Sequence, residues 1–388
     1  MKMASTMMAA GGLGLLGAVV ACAATDGSVD VSDDDSAYTL DAAVAEEAAV
    51  DGGGDDGDGG GSTRCSSSGL CIAPAPLDEG VTVMSIAGSG ASDVWAVGAR
   101  RTVLHFDGAE WARVDVEDEV PTLMTIPSVW VGSASDVWVA DPVALRRTTG
   151  WRGAGGTEWS RSTALSSVSA VAGRSGAVFV GHRTTNALNQ RVASVCEGWG
   201  DDGPSGCVGL TSNFLSYSAS FGVTGVGAMA ATRADEAWAA LVNGARVTRI
   251  HAEAADGGSS WVVTDYDSRT VQSLHSIWGN DDVVWLVGDG GTIRRLEREN
   301  LAALVFDVVP NVVTSSLRAV YGFSKDDVWI VGDDATVLHW DGQAWSRLTT
   351  PFDALDDKPD LTSVWGAGPN NVWIGGREAM LHYEGTTP

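Results

Sequence analysis

The chain has 388 residues, 44% of them hydrophobic, and carries 24 basic against 50 acidic residues for a formal net charge of −26. Such a charge excludes nucleic-acid binding, because a polyphosphate backbone would be repelled instead of neutralised. Sixteen Trp against five Tyr is a skewed aromatic choice. Most of those Trp sit at repeat positions, which marks them for core packing between stacked sheets and not for ligand stacking.

Residues 1–22 read as a processing signal. Lys2 supplies its only positive charge, an apolar Gly-rich stretch runs from Met7 to Val20, and Val19-Val20-Ala21-Cys22 closes it. That tetrad resembles the bacterial lipobox, which implies lipidation of Cys22 as the mature N-terminus and stable anchoring to a bilayer. No other stretch is apolar for long enough to span a membrane. Ala23 after the cysteine favours, by the same resemblance, the outer membrane or cell surface. Residues 23–64 hold twelve acidic residues against Arg64 alone, with the run Asp51-Gly-Gly-Gly-Asp-Asp-Gly-Asp-Gly-Gly-Gly61. Such a composition predicts a disordered acidic tether, unable to bury enough apolar surface to offset ordering entropy. Residues 65–388 keep 38 acidic and 22 basic residues, so the expected folded part is itself acidic.

Beyond Cys22, the cysteines form two close pairs, Cys65/Cys71 and Cys196/Cys207. In an exported chain this predicts two structural disulfides. The C-x5-C and C-x10-C spacings match no zinc signature, and no metal or cofactor is expected.

From residue 84 onwards a sentence repeats: Asp93-Val94-Trp95-Ala96-Val97-Gly98, Asp136-Val137-Trp138-Val139, Asp327-Val328-Trp329-Ile330-Val331-Gly332 and Asn371-Val372-Trp373-Ile374-Gly375, with weaker copies around Phe179, Trp238 and Trp285. The seven aromatics are spaced by 43, 41, 59, 47, 44 and 44 residues. Each unit reads as an apolar strand, a turn, the Val-Trp strand, a Gly-bearing turn, a third strand such as Thr336–Trp340, an Asp-Gly turn and a Trp-led strand from Trp345. Alternating β-branched and aromatic residues bounded by Gly, Asp and Asn are strand and hairpin signals. A unit that cannot bury its own faces must stack with its copies, so the expected fold is all-β: a seven-bladed β-propeller of four-stranded antiparallel blades over 65–388. The last unit stops after His382-Tyr383-Glu384-Gly385 without a fourth strand, and residues around Leu70 to Leu77 are expected to donate it.

The pattern Ser-Val-Trp-Gly, Asp-Val-Trp-x-Val-Gly and Thr-Val-Leu-His-[Phe/Trp]-Asp-Gly resembles the propeller repeats of exported myxobacterial lipoproteins. It is more distantly similar to Asp-box and photosystem II assembly-factor propellers. The Asp107–Trp111 and Asp341–Trp345 turns are one residue shorter than an Asp-box, so the carbohydrate association of that group transfers poorly.

Candidate chemistry is sparse. His105, His339 and His382 share one repeat slot, which puts them in separate blades and makes them structural. A triad needs its members within hydrogen-bond reach. His182 is expected in the longer loop after the third unit's second strand, and His251 and His275 accompany no nucleophile motif. The loops 112–122, 182–190, 211–222 and 346–360 are expected to gather on one face and form the variable recognition surface. Their candidate binding residues are Glu117, Asp118, Glu119, His182, Arg183, Asp353, Asp356 and Asp357, joined by Asp360, an acidic set favouring a basic partner or a divalent cation. The reading is a lipid-anchored, monomeric surface propeller that recognises or scaffolds an unknown protein or glycan without catalysis. A carbohydrate-binding or sialidase-like glycan-hydrolysing propeller is the alternative.

Overall fold

In a computed structural model, residues 65–385 are described except 117–123, 154–155, 166, 185–190, 202, 212–223, 243–244 and 257. The expected signal segment with Cys22, the expected tether 23–64 and Glu117, Asp118 and Glu119 lie outside the described residues. The rest is a seven-bladed β-propeller. Blade 1 comprises Val83–Gly90, Asp93–Gly98, Val103–Phe106 and Trp111–Arg113, paired antiparallel in that order from the channel outwards. The same order recurs in blades 2, 5 and 6, which begin at Ser128, Leu274 and Leu317. Blades 3 and 4, beginning at Val168 and Thr224, join into one sheet where Arg183 and Thr184 pair with Gly225 and Thr224. A side chain at Gly225 would collide with the His182 carbonyl, and its φ of +121° suits glycine alone.

Blade 7 contains Leu361–Gly368, Asn371–Gly376 and Ala379–Glu384, and its outer strand is Leu70–Ile72 from the other end of the domain. Leu70, Cys71 and Ile72 stand opposite Tyr383, His382 and Leu381. Ser67 and Ser68 also bond Thr349 of blade 6. The expected closure of the ring by the N-terminal segment is therefore present. Both expected disulfides, Cys65–Cys71 and Cys196–Cys207, are formed.

Packing explains the repeat. Each second-strand aromatic is nearly or wholly buried and meets an aromatic of the next blade: Trp95 with Trp159, Phe179 with Trp261, Trp238 with Phe306, Trp285 with Trp345, Trp329 with Tyr383 and Trp373 with Trp111. The third blade breaks the pattern and repairs it. Its fourth strand Val208–Thr211 carries no aromatic, and the hairpin Gly198–Gly200/Gly203–Ser205, bracketed by the Cys196–Cys207 disulfide, supplies Trp199 instead, 5.1 Å from Trp138 and edge-on. Such aromatic pairs contribute about 0.5–1.5 kcal/mol each beyond their burial, and six edge-to-face pairs with the tilted Trp329–Tyr383 pair stitch the seven blade junctions.

The acidic residue ahead of each Trp has an equally local task. Asp93 accepts hydrogen bonds from the Trp95 indole (3.1 Å) and His105 (2.9 Å), and Asp136 from Trp138 (2.9 Å) and Arg147 (2.6 Å). Glu236 takes the slot in blade 4, and Asp327 holds His339 at 2.8 Å in blade 6. The repeated histidines are thus partners of their own blade's carboxylate, or, for His382, a ring stacked on Trp373 at 3.9 Å. The Asp-Gly turns close the third hairpin as expected. Asp107 and Asp341 accept from the backbone N–H groups two and three residues on, while Gly108 and Gly342 adopt φ of +100° and +89°.

Serines on the innermost strands link blade to blade. Ser85 accepts from the Val129 N–H, Ser128 from that of Val171 and Ser276 from that of Val320. Because these strands lean on one another all round the ring, they define a central channel.

Candidate functional site

At one end of the channel the second-to-third-strand turns meet the links that enter each blade: the Arg101 N–H donates to the Met124 carbonyl, that of Asp289 to Ser273, and that of Ala335 to Pro359. This is the face on which the variable loops were expected, and there the channel holds a cavity of about 600 Å³. All seven innermost strands or their entry residues line it.

One slot of the repeat decides what the cavity presents. The residue following the first apolar position of each innermost strand is Met84, Pro127, Ser169, Gly227, His275, Arg318 and Thr362 in blades 1 to 7. Charge and titratable chemistry at this slot are therefore confined to blades 5 and 6. The second-to-third-strand turn of blade 6 adds Asp333 to the lining and the entry to blade 7 adds Asp360, while Asp289 of the blade 5 turn stands behind His275. Arg318 grips Asp333 through two parallel bonds, Nε to Oδ1 at 2.6 Å and Nη2 to Oδ2 at 2.7 Å. His275 Nε2 donates to Asp289 Oδ1 at 2.6 Å, with Arg318 Nη1 3.9 Å from the same oxygen. The His275 hydrogen bond holds the Asp289 carboxyl below the usual carboxylate range, and the Asp333 bonds raise the Arg318 guanidinium further above neutrality. Among the described residues, no group of three His, Cys, Asp or Glu side chains is placed to hold a metal ion.

The expected binding residues fare differently. Arg183 lines the cavity across the ring from the acidic blades, and it is exposed. His182 needs correction: it lies inside the strand Ala177–Thr184, is 5% exposed, and bonds Ser194 at 2.9 Å, so it is a core residue and not a loop residue. Its apolar-flanked run, Val180-Gly181-His182, continues the strand alternation, and that signal was readable. Asp353 folds back on Thr350 to cap its own turn, Asp357 is clasped by Arg377 at 2.9 and 3.2 Å, and Asp356 is exposed. The Arg377 hydrogen bonds hold Asp357 low, as befits an exposed ion pair. His251 is paired with Glu253 at 2.9 Å. The cluster that sequence reading did not assemble is His275, Asp289, Arg318 and Asp333. Aligning the seven copies of one inner-strand slot would have exposed His275 and Arg318 as departures from small or apolar residues.

No protein-family model matches the chain, and no curated protein matches it. Among solved structures it is similar to YCF48 bound to D1 peptide (16% identity, TM-score 0.59, covering 81% of this chain and 94% of that one). It is likewise similar to YCF48 from Cyanidioschyzon merolae (19% identity, TM-score 0.59, 81% and 99% covered) and to the WD40 β-propeller domain of Doa1 (12% identity, TM-score 0.57, 82% and 98% covered). At these identities the likeness establishes the propeller fold.

Proposed function

We propose that this chain is a lipid-anchored recognition propeller of the cell surface, holding a polypeptide partner at the channel mouth without catalysing a reaction. The observation that carries the reading is the distribution of chemistry. The repeated Asp, His and Trp are consumed in holding each blade together, whereas His275, Arg318, Asp333 and Asp360, which the repeat does not supply, line one cavity. A rigid ring with an individual pocket at one mouth is the arrangement of a binding scaffold. A propeller of the same fold, YCF48, has been solved with a D1 peptide bound, which shows that the architecture accommodates a peptide.

A sialidase-like activity would want a tyrosine nucleophile beside an acid and several arginines. Tyr321 instead donates to the Gly366 carbonyl, with burial pushing its phenol up to about 12, and Tyr266, also raised by burial, packs edge-on against Trp238. Both serve the core.

Panning a displayed library of random 15-residue peptides on the purified chain tests the reading. Binders with a Kd of roughly 10 µM or tighter, competing for one site, are expected. Turnover of sialoside or polysaccharide substrates, abolished by substituting cavity carboxylates, would overturn it. The anchor has its own test. Cys22→Ala is expected to move the protein from the membrane to the soluble fraction of the producing cell, and unchanged retention would contradict lipidation at that residue.

A further inference from the structure

The cavity wall on blade 7 is built differently from the rest of the ring. In blades 1, 2 and 5 the inner-strand serine is tied to the backbone of the following blade. Ser363 holds the same slot in blade 7 and lines the cavity, yet its hydroxyl is buried, the residue being 4% exposed, and has no hydrogen-bond partner. Three residues earlier, Asp360 lines the same cavity. One of its oxygens accepts from the Asp334 N–H at 3.3 Å, and the other has no partner among the described residues. A half-used carboxylate at the entry to blade 7 and an orphaned hydroxyl on its innermost strand thus line one cavity. A buried polar group left unpaired costs about 1–3 kcal/mol, so its presence at a cavity points to a ligand that satisfies it.

The surroundings state the sign of that ligand. On this side of the mouth Asp289, Asp333 and Asp360 outnumber the Arg318 guanidinium, and the Arg377 guanidinium near Asp360 is matched by Asp357, so the net charge there is negative whether His275 is neutral or protonated. The wall beside them is apolar, formed by Met84, Ile86 and Val364. One free carboxylate oxygen matches a point-like ammonium better than the two-pronged guanidinium, which seeks both oxygens of one carboxylate, as Arg318 already does with Asp333. An aliphatic stem ending in an ammonium fits an apolar wall that leads to a carboxylate.

We propose that the blade 7 side of the cavity is a subsite for a lysine side chain of the partner polypeptide, its ammonium seated on the free oxygen of Asp360 with Ser363 as the second polar group of the same wall. The inference rests on the recognition reading above and names the chemistry of its partner.

The test uses the full chain and the peptides selected on it. Lysine should be enriched at one position of the binders, and replacing it with norleucine should weaken binding at least about tenfold. Asp360→Asn keeps the acceptor for the Asp334 N–H and should weaken the lysine peptide by a similar factor, with little further loss for the norleucine peptide. Asp307→Asn removes the same charge on the exposed outer strand Asp307–Val309, away from the cavity, and should change binding less than about twofold. Thermal unfolding confirms that both variants fold. Binders lacking any basic requirement, or equal effects of the two substitutions, would overturn the lysine subsite while leaving recognition in place. Failure to select any binder would overturn both.

Discussion

Glu236→Gln is expected to lower the stability of the domain by about 3 kcal/mol at neutral pH, read as a drop in the denaturant midpoint. Glu236 is 2% exposed and sits where blade 4 meets blade 5. Its carboxylate accepts from Trp238 (2.9 Å), Thr232 (2.6 Å) and Arg249 (2.6 Å) of its own blade and from Arg298 (2.7 Å) of the next. Arg298 also donates to the carbonyls of Asp281 and Asn280, so it is fixed in place. Removing the negative charge leaves two largely buried guanidinium groups with an amide between them.

The same residue sets a pH signature. Burial opposes ionisation of Glu236, but the hydrogen bonds from Arg298, Thr232 and Trp238, together with the Arg298 charge, outweigh it and hold the carboxyl down at about 2, against 4.5 for an unperturbed group. Because the folded-state value is the lower one, the stabilisation is complete above about pH 4.5 and is lost as the pH falls towards 2. The gap between wild type and Glu236→Gln should therefore close over that window. A gap unchanged down to pH 2 would mean that the charge contributes nothing.

The second large effect concerns closure of the ring. Leu70→Asp should cost about 4 kcal/mol or prevent folding, because it places an unpaired carboxylate at a fully buried position of the strand that completes blade 7. Loss of that strand uncovers the edge of Ala379–Glu384, so self-association is expected alongside the lower midpoint. Val271→Asp, at a position 96% exposed, provides the comparison and should be close to neutral. Equal effects of the two substitutions would show that the N-terminal strand does not close the ring.

Much of this architecture is legible in the sequence, because a repeat reports its own structure seven times. The Asp-Val-Trp spacing, the Asp-Gly turns and the missing last strand are each local patterns, and each corresponds to a strand, a positive-φ turn or a strand pairing. What escaped reading depends on side chains that meet across blades. Trp199 looks like an isolated aromatic between two cysteines, and only the stacked blades show that it fills the slot left empty by Val208–Thr211. Arg318 and His275 lie 43 residues apart, and their meeting at the mouth follows from blade geometry and not from any contiguous motif. His182 was misplaced because a long gap before the next repeat looked like a loop beginning at once, whereas the strand runs on to Thr184. Acidic residues in the 346–360 link were recognisable as a set, but their division into a turn cap, an ion pair and a cavity carboxylate depends on Thr350, Arg377 and the blade 7 entry.

Where a partner sits on the ring decides between the cavity and the opposite face. Amide hydrogen exchange of the chain, measured with and without a peptide selected on it, locates that contact without assuming which side chains make it. Slowed exchange is expected at the cavity end of the innermost strands, around 84–86, 227–229, 274–277, 318–320 and 360–364, and in the turn at 333–335. Slowing confined to the opposite face, at the Asp107–Glu110 and Asp341–Ala344 turns, would contradict the assignment of the channel mouth as the recognition site.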